Sequence, residues 1–121
     1  MTIQMLAIDL GKQSFHLHAI DDDGVVISRK VCRSKLDLAV AELAPVVVAM
    51  EACASAHHWG RRFTADGRKV LLINPRFVKA FVRGSKNDAV DAEAIYEAAS
   101  RPTMRFVPLK SAEQQDLQSL H

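Results

Sequence analysis

The stretch Met5-Leu6-Ala7-Ile8-Asp9-Leu10-Gly11 constrains the fold more than any other part of the sequence. A short apolar run that ends on an acidic residue and a glycine is typical of a buried strand whose last side chain emerges at the edge of a sheet. A second apolar run at 46–50 is closed in the same way by Glu51. The sequence therefore predicts two central strands that each end on a carboxylate.

A hairpin is predicted directly after the first of these strands. Apolar and polar residues alternate through 15–20, and the turn Asp21-Asp22-Asp23-Gly24 then leads into the apolar run 25–27. Alternation of this kind on both sides of a Gly-containing acidic turn indicates two antiparallel strands. The first three strands are therefore expected to be antiparallel neighbours.

The remaining segments alternate between helical and strand patterns. Ser34 is a plausible N-cap for a helix that Pro45 ends, and Asn74-Pro75 opens another helix as cap and first residue. The other predicted elements are helices at about 56–65 and 88–100 and a fifth strand at 69–73, parallel to the fourth. This order predicts an α/β, ribonuclease H-like fold: a mixed five-stranded sheet flanked by helices.

Composition limits the class of protein without deciding its function. The 121 residues, 49% hydrophobic and 25% charged, suit one globular domain. We expect this domain to cover 1–108, with 109–121 as the start of a truncated helical connector to a missing C-terminal domain. A net charge of +2 permits a nucleic-acid partner without requiring one. No apolar run reaches the roughly 20 residues that span a bilayer, so no membrane contact is expected.

Four acidic residues stand at positions where they can converge. Asp9 and Glu51 end the two central strands, and a half-buried carboxylate there costs several kcal/mol unless it is compensated. Asp88 and Asp91 are three residues apart at the start of the last helix and share one side of it. Carboxylates without a Cys/His cluster match a hard cation such as Mg²⁺ or Mn²⁺. The alternative stays open that the helix dipole alone favours Asp88 or Asp91.

Basic and aromatic residues surround the Asn-Pro helix. Arg76, Lys79 and Arg83 recur every three to four residues and are expected to line one helix face, with Lys86 following. This pattern fits either a phosphate-facing stripe or a solvated face. Four aromatic residues at helical spacings are expected to pack in the interior rather than to stack on bases: Trp59, Phe63, Phe77 and Phe81. His16 and His18, two apart on a strand, are expected to be exposed polar residues.

Several motifs together resemble one family. The segments at 7–12, 50–52 and 73–75 and above all Lys86-Asn87-Asp88-Ala89-Val90-Asp91-Ala92 resemble, in order, the DEDD transposases of the insertion-sequence 110 group. The resemblance implies a domain similar to the RuvC-type Holliday-junction resolvase. Asp9, Glu51, Asp88 and Asp91 match the family's four metal-binding and catalytic acids.

The resemblance also implies partners and a cellular setting. Family members act on DNA with Mg²⁺ or Mn²⁺, and are directed by a structured guide RNA from the element. The full-length protein is expected to form a homo-oligomer in the bacterial cytoplasm, associated with the nucleoid. Lys12, Arg76, Lys79, Arg83 and Lys86 are the expected nucleic-acid contacts. A nucleophilic serine belongs to a separate C-terminal domain in this family, so no catalytic serine is assigned here.

Two other functions fit parts of the sequence. Ile8-Asp9-Leu10-Gly11 followed by a hairpin also begins the actin and sugar-kinase fold, but such enzymes need two related domains and a second glycine-rich phosphate loop. A fragment that binds nucleic acid or partner subunits without catalysis is the other alternative. ATP binding would favour the kinase-like alternative, and cleavage of nucleic acid with Mn²⁺ would favour the transposase hypothesis.

Overall fold

A computed structural model describes residues 2–84 and 87–119, with the side chains of residues 88, 118 and 119 outside the description. Strands and helices alternate after an initial group of three strands. The elements are β1 (Met5–Leu10), β2 (Ser14–Ile20), β3 (Val26–Cys32), α1 (Leu36–Leu43), β4 (Val47–Glu51), α2 (Ala54–Ala65), β5 (Lys69–Ile73), α3 (Pro75–Lys79), α4 (Asp88–Ala99), β6 (Phe106–Val107) and α5 (Ala112–Ser119).

The strands form one mixed sheet in the order β3-β2-β1-β4-β5-β6. β1, β2 and β3 are antiparallel neighbours, as predicted, and β4 runs parallel to both β1 and β5. The predicted strand count of five was wrong, because β6 adds an antiparallel edge strand beside β5. β6 pairs through Phe106 and Val107 alone, which is too short to give a periodic signal in the sequence.

The acidic turn before β3 folds around one carboxylate. Oδ1 of Asp21 accepts hydrogen bonds from the backbone N–H groups of Asp23 and Val25, each at 2.9 Å. Gly24 follows with φ +81°, a left-handed conformation that glycine adopts without a steric cost. Asp22 accepts a further bond from the N–H of Thr2. The turn therefore has a structural account as the connection of the β2–β3 hairpin.

Successive residues on the central strands face opposite layers of the molecule. Leu6 and Ile8 belong to the apolar cluster beneath α1 and α2, whereas Ala7 and Ala49 belong to the cluster beneath α3 and α4. Trp59 and Phe63 of α2 are buried in the first cluster with their rings stacked at 5.9 Å. The prediction that these two aromatic residues pack in the core is confirmed.

Two helix boundaries differ from the sequence prediction. Ser34 was expected to cap α1, but it lies in a single 3₁₀ turn at Arg33–Lys35, and its hydroxyl contacts the Cys32 thiol. The helix expected to run from Pro75 to Gly84 ends already at Lys79. Asn74 nevertheless caps it as predicted, since its side chain accepts the N–H of Arg76.

The segment after β6 folds back onto α2. The backbone N–H of Lys110 donates to Nδ1 of the buried His57, and Arg61 donates both to the Lys110 carbonyl and to Gln115. Gly60 leaves room for Leu109, because a Cβ there would lie 2.7 Å from Leu109 Cδ1. The predicted domain boundary at residue 108 remains a prediction. No helix in the described ranges is long and apolar enough to cross a membrane.

Candidate functional site

Two of the four predicted acids lie side by side at the ends of the central strands. β1 and β4 are parallel, and their register pairs Ile8 with Met50, so Asp9 and Glu51 are the next residues on each strand. Strand alternation puts both on the face that carries Ala7 and Ala49, beneath α4. Both side chains are half-buried and have interactions with neighbouring groups. Asp9 and Glu51 therefore lie at the same end of two neighbouring strands and on the same face of the sheet.

The third acid, Asp91, reaches this region from the first turn of α4. Asn87 caps the helix by accepting the N–H of Val90 at 3.0 Å, and the Asp91 N–H donates to the Asn87 carbonyl at 2.9 Å. These bonds fix the backbone from which Asp91 extends. The buried side of α4 carries the small residues Ala94 and Ala98, which let the helix lie close to the sheet.

One cavity joins a strand acid with the helix acid. Glu51 and Asp91 line a space of about 300 Å³ together with Lys79 and the apolar side chains of Val78 and Val82. Lys79 thus lines the same cavity as two carboxylates, although the sequence pattern assigned it to a stripe with Arg76 and Arg83. Asp9 is not part of the lining. The side chain of Asp88, and Lys86 as a whole, lie outside the described residues.

Among the described residues, the acids predicted to bind a metal do not form a tight ligand cluster. Among described side chains, only Asp21, Asp22 and Asp23 bring three acidic ligand atoms within 4.8 Å of one another. Those three belong to the hairpin turn, where carboxylate oxygens of Asp21 and Asp22 accept backbone N–H groups. Asp9, Glu51 and Asp91 do not meet this criterion among the described residues.

Gly11 and Lys12 form the turn that follows Asp9. A Cβ at Gly11 would overlap the backbone carbonyl oxygen of Ser14, so only glycine fits this tight connection between β1 and β2. Lys12 is exposed at the tip of the turn. The residue predicted to contact nucleic acid is thus accessible at the same edge of the sheet as Asp9.

The predicted basic stripe is not a single helix face. Arg76 is exposed on α3, Lys79 lines the carboxylate cavity, and Arg83 follows after the helix has ended. After α3 the chain continues in a turn, in which Phe81 and Val82 still pack against the cluster that contains Val78. The three cations therefore do not line one side of a helix.

The histidines of β2 also differ from expectation. His16 lies directly opposite Asp9 in the β1–β2 ladder, and its Nε2 is 2.8 Å from the Ser28 hydroxyl. His18 is buried against the ring of Tyr96 on α4, with centroids 5.4 Å apart. Burial lowers the pKa of His18, although Glu93 and Glu97 oppose this change. The prediction that both histidines are exposed polar residues was wrong for His18, because α4 covers this part of the sheet.

The sheet order and the flanking helices define a mixed α/β domain with a ribonuclease H-like fold. The family model for DEDD transposases of the IS110 type, described as "Transposase", matches residues 6–121. The chain therefore belongs to the IS110-type DEDD transposase family.

Named transposases from several bacteria are similar to this chain. A probable family 20 transposase of Pseudomonas aeruginosa is 51% identical over 100% of the chain and 36% of its own length. The transposase for insertion sequence element IS1328 of Yersinia enterocolitica is 45% identical over 98% of the chain and 36% of its length. The transposase for insertion sequence element IS1111A of Coxiella burnetii is 48% identical over 98% of the chain and 33% of its own length. The chain thus spans about a third of these relatives.

Proposed function

We propose that this chain is the N-terminal metal-binding catalytic domain of a transposase that breaks and rejoins DNA phosphodiester bonds with Mg²⁺ or Mn²⁺. One observation carries the proposal: Glu51 from a central strand and Asp91 from α4 line the same cavity, on the face of the sheet that also carries Asp9. Residues so distant in sequence share a cavity only because the fold brings them together.

The donor chemistry of this region fits a hard divalent cation. Carboxylate oxygens are the ligands that Mg²⁺ and Mn²⁺ prefer, and no described cysteine or histidine lines the cavity. Half-buried carboxylates of like charge are costly together unless a cation balances them. We assign Asp9, Glu51, Asp88 and Asp91 as the ligands. Lys79 supplies part of the balancing charge in the ion's absence.

The protein's own groups have distinct tasks in this proposal. A divalent ion bound here would polarise the phosphate and favour ionisation of the attacking oxygen. Asp9 and Glu51 are held rigidly by the sheet, and the Ala52 N–H donates to the Ile73 carbonyl at 2.8 Å just beyond Glu51. Asp91 is held by the capped first turn of α4. Rigid carboxylates reduce the reorganisation that ligand binding requires.

The surrounding cations would hold the sugar–phosphate backbone. Lys79 lines the carboxylate cavity itself, while Lys12 and Arg76 are exposed on segments that flank it. Phosphate contacts of this kind fix the position of a strand without reading its sequence. We propose that Arg83 and Lys86 extend the same contact along the strand.

The activity of the whole protein is a further proposal, because the chain spans only about a third of its relatives. We propose that strand exchange needs a second domain with a nucleophilic serine and a structured RNA that selects the DNA. The carboxylate domain would then position and activate phosphates. Homo-oligomer formation belongs to the same full-length protein.

Calorimetric titration of Mn²⁺ into the 121-residue chain tests the metal site. Wild type should bind Mn²⁺, and Glu51→Gln and Asp91→Asn should each weaken binding at least about tenfold, since each removes a charged ligand. Glu113→Gln is the matched control, because Glu113 is an exposed acid on α5. Circular dichroism would show that each variant is folded. Equal Mn²⁺ affinity in all four proteins would contradict the proposal.

A further inference from the structure

The short segment from Phe77 to Val82 separates two cavities. Val78, Lys79 and Val82 face the carboxylate cavity of about 300 Å³. Phe77 and Phe81 face a second cavity of about 630 Å³, which continues against the loop that follows α4. The two cavities therefore lie on either side of one stretch of chain.

The second cavity combines aromatic rings with guanidinium groups. Phe77 is 41% exposed, although the sequence predicted that it would pack in the interior. The guanidinium carbon of Arg101 lies 5.1 Å from the centroid of the Phe81 ring, and Arg105 and Met104 complete the basic and apolar lining. None of the described lining residues carries a carboxylate. The cavity is therefore both apolar and positively charged.

These properties favour a ligand that is flat, aromatic and attached to negative charge. The exposed part of the Phe77 ring forgoes burial free energy, which an occupant of the cavity can recover. Arginine stacked on an aromatic ring can add a second planar surface for an aromatic guest. Arg105 lines this cavity and Arg76 precedes Phe77 on α3, so both positive charges lie near enough to attract a phosphate group. A segment of protein would need an acidic as well as an aromatic character to match this surface equally well.

We propose that this cavity, bounded by Phe77, Phe81, Arg101 and Arg105, binds an unpaired nucleobase of a nucleic-acid strand whose backbone passes over Lys79. Stacking of a base on an aromatic side chain is tolerant of sequence because every base has a π-face. Such a contact holds one nucleotide out of a duplex beside the carboxylate site. The inference rests on the proposed function, because that function supplies the nucleic acid.

An oligonucleotide with a single 2-aminopurine, measured in EDTA, tests the cavity independently of the metal. The ligands are single-stranded DNA, single-stranded RNA of the same sequence, and the DNA duplex. Anisotropy reports affinity, and quenching of 2-aminopurine reports stacking. The chains compared are wild type, Phe77→Leu and the control Arg33→Ala, which changes an exposed arginine on the turn between β3 and α1.

Wild type and Arg33→Ala should quench the single-stranded probe and bind it more tightly than the duplex. Phe77→Leu should lose the quenching and at least about fivefold in affinity, with duplex affinity unchanged. Tighter binding of DNA would identify a displaced DNA strand as the source of the base, and tighter binding of RNA an unpaired RNA base. The inference would be overturned if Phe77→Leu quenched the probe as strongly as wild type, or if wild type bound single strands no more tightly than the duplex. Mn²⁺ titration without nucleic acid judges the carboxylate site separately.

Discussion

Glu51, the last residue of β4, and Asp91, in the first turn of α4, line one cavity although they belong to different layers of the molecule. The arrangement depends on strand alternation, which turns Glu51 toward the helical layer. It also depends on the cap of α4, which fixes the turn that carries Asp91. If both acids bind the same ions, their contributions to metal affinity must be coupled.

A double-mutant cycle on Mn²⁺ affinity measures that coupling. Glu51→Gln and Asp91→Asn should each remove most of the binding, and the double variant should lose little more than either single variant. The reason is that the site loses its function as a unit once one ligand is gone. Calorimetry on the four proteins gives the coupling free energy. Losses that simply add would place the two acids in independent sites.

Lys79 is expected to oppose metal binding while it supports nucleic-acid binding. Lys79→Gln removes a positive charge from the lining of the carboxylate cavity, so Mn²⁺ affinity should rise by about 0.2–1 kcal/mol, the range for exposed charge pairs. The slope of log K for DNA against log salt is negative and should become less steep by about 0.9, the effect of one lost phosphate contact. Lys35→Gln, distant on the turn before α1, should change neither quantity. A gain in Mn²⁺ affinity together with a weaker salt dependence of DNA binding would show that Lys79 acts at both sites. A general effect of lost positive charge would instead appear in Lys35→Gln as well.

Stability should fall as the pH drops below about 6.5, with His57 as one cause. Burial, assisted by Lys110 and Arg61, lowers the pKa of His57 below its ordinary value of 6.5. The folded chain therefore binds fewer protons than the unfolded chain, so this contribution to stability is present above pH 6.5 and is lost as the pH falls through the lowered pKa. His18 acts in the same direction.

Urea unfolding at pH 7.5 and pH 5 separates the contribution of His57. His57→Gln should cost about 1–3 kcal/mol at pH 7.5, because the glutamine oxygen lies one bond further from the backbone than Nδ1 and no longer meets the Lys110 N–H. That cost should shrink at pH 5, where the native histidine is itself destabilising. His58→Ala, at an exposed position, should leave the pH dependence as in wild type. A cost for His57→Gln that is equal at both pH values would refute this explanation.

The packing of α2 against the C-terminal segment predicts a non-additive pair. Gly60→Ala should destabilise the chain by about 1–3 kcal/mol, because the new Cβ would lie 2.7 Å from Leu109 and 3.2 Å from Val70. In the background Leu109→Ala the same change should cost at least about 1 kcal/mol less, since the close contact with Leu109 Cδ1 is then gone. Urea unfolding of the four chains gives both values. Additive effects would show that Leu109 does not occupy this position in solution.

The central strands and their acidic ends could be predicted because each depends on local pattern. An apolar run that ends on Asp9 or Glu51 carries its own signal, and the hairpin around Asp21 depends on nearby residues only. The parallel pairing of β4 and β5 followed from the helix between them. These features need no knowledge of distant contacts.

Other features could not be read from the pattern because tertiary contacts decide them. β6 exists only because β5 offers an unpaired edge, and His18 is buried only because Tyr96 covers it. Phe77 and Lys79 have the spacing of an ordinary helix, yet they line separate cavities on either side of α3. The roles of the four acids as ligands stay predictions.

Mn²⁺-induced broadening of backbone amide resonances in the 121-residue chain locates the bound ion most directly. We predict that substoichiometric Mn²⁺ broadens first the amides around Asp9, Glu51 and Asp91, at the adjacent ends of β1 and β4 and in the first turn of α4. Glu51→Gln should abolish this local effect. Broadening centred on the Asp21–Asp23 turn, or spread evenly over exposed acids, would contradict a metal site formed by the strand and helix carboxylates.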